Sequence, residues 1–178
     1  MFTAQEKRKT NIAEYLIYMF QVEDIIRSMD FDIDRIEKNV IAHYKLPYHD
    51  KRSLREWYSS LIYLLKSGKL EKSGHHPLLK NIMEEMNDLH TRLLSDPAEK
   101  EYGILYKDAT PAINDLKRKT PGNGKHEIEI CHDGLYGLLL LRLSKKQISP
   151  ETEKAFRFIS KMLAYLSAKF KLIDKGIS

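Results

Sequence analysis

The chain has 178 residues, 42% of them hydrophobic, with 30 Lys/Arg against 25 Asp/Glu and a formal net charge of +5. That length suits one domain with a full core. No apolar run approaches the ~20 residues a membrane span needs, and the N-terminal MFTAQEKRKTNIAEY has no apolar signal region. The lone cysteine, Cys131, cannot form an intramolecular disulfide, so nothing asks for an oxidising compartment and a cytoplasmic protein is expected.

A basic balance raises nucleic acid as a partner, but the distribution argues otherwise. Residues 1–90 are neutral, and the whole excess lies in 91–178. It gathers at Lys117–Lys119, at Arg142 with Lys145 and Lys146, and at Lys169, Lys171 and Lys175. These are expected helix ends, while Asp30, Asp32, Asp34, Glu99, Glu101, Glu127, Glu129, Glu151 and Glu153 sit at expected helix starts. The helix macrodipole favours that arrangement, at roughly 0.3–1 kcal/mol per charge. Nucleic acid is therefore not the expected partner.

In chain order, Thr3-Ala4-Gln5-Glu6 has the form of a capping box. Apolar residues from Ile12 to Ile26 then recur at helical spacing, predicting one helix over 4–28. A second is predicted from Asp30 through Tyr44, stopping before Pro47. Ser53-Leu54-Arg55-Glu56 repeats the capping-box form near the start of a third, with Leu54, Trp57, Tyr58, Leu61, Leu64 and Leu65 on its stripe. The His75-His76 doublet is expected in an exposed loop. Pro77 opens a fourth helix, whose stripe includes Leu79, Met83, Met86 and His90. Asp96-Pro97 predicts the start of a fifth, kinked or split near Pro111. Residues 120–125 read as an exposed loop, not a domain boundary. A sixth helix is predicted over 126–146, and Ser149-Pro150 starts a seventh. No segment alternates with period two. The expected fold is all-α: a single domain over 1–178, a bundle of about seven mostly antiparallel helices.

Residues 131–143, CHDGLYGLLLLRL, are apolar around nearly the whole circumference. Such a helix is expected to be buried on all sides, so 126–146 is the predicted central pillar. Its two glycines each cost about 0.5–1 kcal/mol relative to alanine, which calls for a close approach. Cys131, Gly134, Gly137 and Ser144 form a small-residue stripe for a neighbouring helix, a second subunit or a ligand.

No catalytic or metal motif emerges. Glu129 and His132 form one Glu-x-x-His pair with no second, there is no Cys-x-x-Cys or His-Glu-x-x-His, and no glycine-rich phosphate loop. No metal and no cofactor are expected. Tyr15, Tyr44, Tyr58 and Tyr165 read as core residues with a hydroxyl at the rim. Three polar residues fall inside apolar faces: Glu23, His90 and Arg142. A buried carboxylate must be paired or protonated; for Glu23 the expected partner is Arg142 across the bundle or Arg27 at i+4. If Glu23, His90 and Arg142 converged, they could bind or protonate a small ligand.

Asn11-Ile12-Ala13-Glu14-Tyr15, Gln21 to Arg27, Glu56-Trp57-Tyr58, Asn87-Asp88-Leu89-His90, and Leu135-Tyr136-Gly137 with Ile148-Ser149 together resemble a Bacteroidetes family designated domain of unknown function 4924. The resemblance spans nearly the whole chain and implies a bacterial, intracellular protein. It implies no activity, cofactor or site residue. The first expectation for function is a non-enzymatic protein that binds another protein, a second copy of itself included. The alternative is a ligand-binding or enzymatic bundle using Glu23, His90 and Arg142. Nucleic-acid binding through the basic second half comes third.

Overall fold

A computed structural model describes residues 1–120 and 124–174. Among them are eight α-helices and no strand: α1 (Phe2–Thr10), α2 (Ile12–Ser28), α3 (Ile33–Asn39), α4 (Tyr48–Ser67), α5 (Pro77–Ser95), α6 (Lys100–Lys119), α7 (Glu127–Leu143) and α8 (Pro150–Asp174). The all-helical class follows the apolar spacing. Positions 121–123, within the expected loop over 120–125, and Lys175 lie outside the described residues.

The differences lie at helix ends. The run expected over 4–28 breaks at Asn11, whose backbone is extended (φ −151°) and whose side chain accepts from the Ala13 and Glu14 amides. An asparagine oxygen offers the backbone an alternative to the continuing helix, so one helix becomes two. Thr3 makes no cap; Met1 holds that position without a side-chain bond. Asp32 caps α3, which ends at Asn39 and gives way to a 3-10 turn at Ile41–His43. Tyr44, expected in the core, is therefore 44% exposed. Pro47, not Ser53, precedes the third predicted helix, because proline suits the first turn, where no amide partner is needed. Asp96 caps only a turn, through the Ala98 amide at 2.8 Å, and α6 begins at Lys100 and runs unsplit through Pro111. Thr110, just before the proline, turns its hydroxyl back onto the Tyr106 carbonyl at 2.7 Å.

Two apolar cores share α2. The larger is built around Leu16, Met86, Ile113, Ile128, Met162 and Leu166 from α2 and α5 to α8. The smaller joins Val22 and Ile26 of α2 to Ile36, Ile41, Leu54 and Tyr58. Tyr18, Trp57 and Leu61 pack against both. α6 and α8 make the most extensive helix pair.

The predicted pillar is buried over half its length only. Ile128, Cys131 and His132 are fully enclosed, but Leu140, Leu141 and Leu143 are 41%, 45% and 65% exposed. A circumference of leucines thus signals burial at the N-terminal end and an uncovered apolar end beyond it. The small-residue stripe divides the same way. A Cβ at Gly134 would lie 2.7 Å from Leu116 Cδ1 and 3.1 Å from Phe156 Cε1, so this glycine seats side chains of α6 and α8. Gly137 faces open space, and Ser144 is exposed beyond the helix end. Gly137→Ala should therefore raise stability by about 0.5–1 kcal/mol through helix propensity. Gly134→Ala should lower it by about 1 kcal/mol, because overpacking outweighs the same gain. Urea denaturation of the two variants checks this; equal stabilisation at both positions would contradict the packing described.

Candidate functional site

Glu23 is 2% exposed on α2, and its partners come from the loop between α4 and α5. His75 Nδ1–H donates to Oε2 at 2.7 Å, and the His76 amide donates to Oε1 at 2.9 Å. The His75 ring stacks on Phe20, centroids 3.7 Å apart and 17° from parallel. Its Nε2 lies 3.9 Å from Asp133 Oδ1 on α7. Lys125 continues the chain of charges, 2.5 Å from Asp133 Oδ2 and 3.3 Å from Glu129 Oε1.

Arg27 holds the loop in place. It pairs with Asp24 at 2.8 Å and donates to the carbonyls of Leu70 and Gly74. Tyr136 of α7 donates to the other Asp24 oxygen at 2.6 Å. Gly74, at φ +90°, supplies the left-handed turn that swings His75 inward. His76 then caps α5, its Nδ1 accepting from the Leu78 amide at 3.2 Å.

Neither expected partner of Glu23 is the real one. Arg142 is exposed at the far end of α7 and pairs with Glu153 of α8 at 2.7 Å, while Arg27 is occupied by Asp24. The doublet expected to be solvent-exposed provides both bonds. Its burial is set by Arg27 and Phe20, residues far away in sequence, so only the glycine and proline flanking the doublet hinted at a constrained turn.

His90 forms a separate cluster. Its Nδ1 lies 2.6 Å from the Tyr102 hydroxyl, and its Nε2 3.6 Å from Glu127 Oε2. That last distance suits Coulombic attraction but is too long for a hydrogen bond. Lys117 reaches the other Glu127 oxygen at 2.5 Å. Interactions with His90 first, then Lys117 and Tyr106, outweigh burial and hold Glu127 down at about 2. Burial, with Glu127 nearby, pushes the Cys131 thiol up to about 12, so the thiol is unreactive. Glu23, His90 and Arg142 thus occupy three separate places.

Beside Glu23 lies a cavity of about 240 Å³. Its apolar walls include Met19, Trp57, Leu61, Leu65 and Leu79, from α2, α4 and α5, and α1 closes one side with Ala4, Gln5 and Arg8. Glu23 and His76 are its inner polar groups. Apart from the apolar setting of Glu23 on its helix, no residue pattern points to this cavity. Among the described residues no cluster of histidine, cysteine and carboxylates is arranged to hold a metal ion, and no helix is long and apolar enough to cross a membrane.

The model of a domain of unknown function, DUF4924, matches residues 1–176, and the chain belongs to that family. No curated protein and no solved structure matches it significantly.

Two histidines give the fold opposite pH dependences. Burial of His75 favours its neutral form, but the attraction of Asp133 and the hydrogen bond and charge of Glu23 outweigh it and raise its pKa. Its contribution is full below the ordinary value of 6.5 and is lost as pH rises through the raised one. His132 is the reverse: burial drives it down to about 4. Its Nδ1–H donates to the Ile128 carbonyl at 2.7 Å, while Nε2 is buried without a partner. Between pH 6.5 and 4 the unfolded chain takes up a proton there that the folded chain refuses, so stability falls with pH. His132→Leu should remove that fall and gain roughly 1–3 kcal/mol over the parent near pH 4, with little change at pH 7.5. Urea denaturation across the range measures it, and parallel curves for the two proteins would refute the assignment.

Proposed function

We propose that this protein binds a small, largely apolar molecule in the cavity bounded by α1, α2, α4 and α5. The observation that carries the reading is a buried carboxylate lining an otherwise apolar concavity. Ligand sites have that composition: apolar walls with a few fixed polar groups. At about 240 Å³, the cavity sits just below the ~300–1,000 Å³ of drug-sized sites and suits a ligand smaller than those. The buried Cys131 thiol makes no demand for oxidation, which supports a cytoplasmic setting.

Trp57, the single tryptophan of the chain, lines this cavity and is a built-in reporter. Titration with 1-hexanol should shift its fluorescence saturably. Ala4→Leu, which places a larger side chain into the cavity from α1, should abolish the shift while leaving the helical circular dichroism intact. An equal response in the folded variant would exclude this site, as would the absence of a saturable response to any six-carbon ligand, charged or neutral.

A second reading, self-association, draws on the uncovered end of α7. Leu140, Leu141 and Leu143 are exposed on α7, and the same helix lines a groove of about 540 Å³ between α2, α7 and α8 with Leu135, Leu138, Leu139 and Arg142. Glu14, Arg142, Glu153 and Arg157 line that groove, and a surface bearing both signs of charge can match its own copy across a two-fold axis. Sedimentation velocity should then show a concentration-dependent dimer that Leu141→Glu with Leu143→Glu dissociates. A parent protein that stays monomeric at millimolar concentration would rule it out.

A further inference from the structure

We propose that the ligand of the Glu23 cavity carries a cationic amine head on a short apolar chain, an inference that rests on the ligand-binding reading above. Glu23 lines the cavity while being 2% exposed. An ionised carboxylate only accepts hydrogen bonds, through about four lone-pair sites. His75 and the His76 amide each use one oxygen once, leaving acceptor capacity for a donor.

The surrounding charge selects among donors. Glu23, Asp133 and Glu129 face His75 and Lys125 in one connected chain of ion pairs, with the Asp24–Arg27 pair beside it. Even with His75 protonated, the carboxylates outnumber the cations, and with His75 neutral the excess doubles. A positive head at Glu23 moves that balance toward neutrality in a site where water screens little.

The walls favour a cation as well. Trp57 and Tyr15 both line the cavity, and aromatic faces attract ammonium groups. The guanidinium of Arg8 already lies 5.7 Å from the Tyr15 ring centroid, so this wall accepts positive charge within the protein itself. Arg8 is also the group that would draw a carboxylate ligand, but it is exposed and screened by solvent, whereas Glu23 is not.

The test compares three ligands of one chain length on the unmodified protein at pH 7.5: hexylammonium, 1-hexanol and hexanoate. Trp57 fluorescence and the chemical shift of its indole N–H report binding. The amine should bind at least tenfold more tightly than the alcohol, and hexanoate more weakly than either. Alcohol binding as tight as the amine, or a preference for hexanoate, overturns the amine head while the cavity reading stands. No saturable response to any of the three defeats both. Glu23→Gln, where folded, should bring the amine-to-alcohol ratio close to one and keep the alcohol's affinity; a ratio unchanged from the parent also overturns the proposal.

Discussion

One buried carboxylate holds together parts of the chain that share little else. Glu23 sits on the helix common to both cores, and among the described residues its oxygens accept hydrogen bonds only from the loop that enters α5. Removing water from a carboxylate is costly unless hydrogen bonds and opposite charge compensate. The loop must therefore adopt the one path that delivers an imidazole and an amide to the same side chain. That path requires the left-handed turn at Gly74, the clamp of Arg27 on the loop carbonyls and the stacking of His75 on Phe20. It also aligns α7, because Asp133 approaches the far side of the same ring. The cavity exists where it does because the loop is pulled toward α2 at this point.

What the sequence disclosed and what it withheld divide along the range of the interactions. Apolar spacing is local, so α2, α5 and α8 could be read from it, and the Ser149-Pro150 start of α8 follows from helix-end chemistry. Breaks decided by one competing side chain were harder: Asn11 reads as an ordinary helical position until its oxygen is seen capping Ala13 and Glu14. Burial is not local at all. The two glycines of α7 look alike in sequence, yet only Gly134 meets Leu116 and Phe156. The leucines of 138–143 look like core, yet the neighbours that would cover the last turns are absent among the described residues. Glu23 was legible as a carboxylate in the wrong place; its partner was not, because His75 lies 52 positions away in a loop without periodicity.

The charges follow the same division. Lys117, Arg118, Lys119 and Lys169, read from the sequence as helix-end cations, are each tied to a carboxylate, on the same helix or on one packed nearby. Exposed pairs of this kind contribute little to stability. They do, however, spread the basic excess of the second half into local pairs. The two networks with real electrostatic leverage are the partly buried ones around His75 and His90, and neither is visible as a sequence motif. The first joins α2, the loop before α5 and α7, and the second joins α5, α6 and α7, so their members are scattered from position 23 to position 133.

The break at Asn11 has a consequence for motion rather than for structure. α1 buries Ala4 alone among its residues, and it is joined to α2 through one extended residue. Lifting it away takes Ala4 out of the larger core and Met1 from beside the smaller but leaves the other helices packed together, so the motion costs only part of the global unfolding free energy. Because α1 is also a wall of the cavity, undocking this nine-residue helix widens the way into the space the proposed ligand would take. A ligand that touched α1 there would bind the docked form better, so its occupancy and the docking of the N-terminal helix would be linked equilibria.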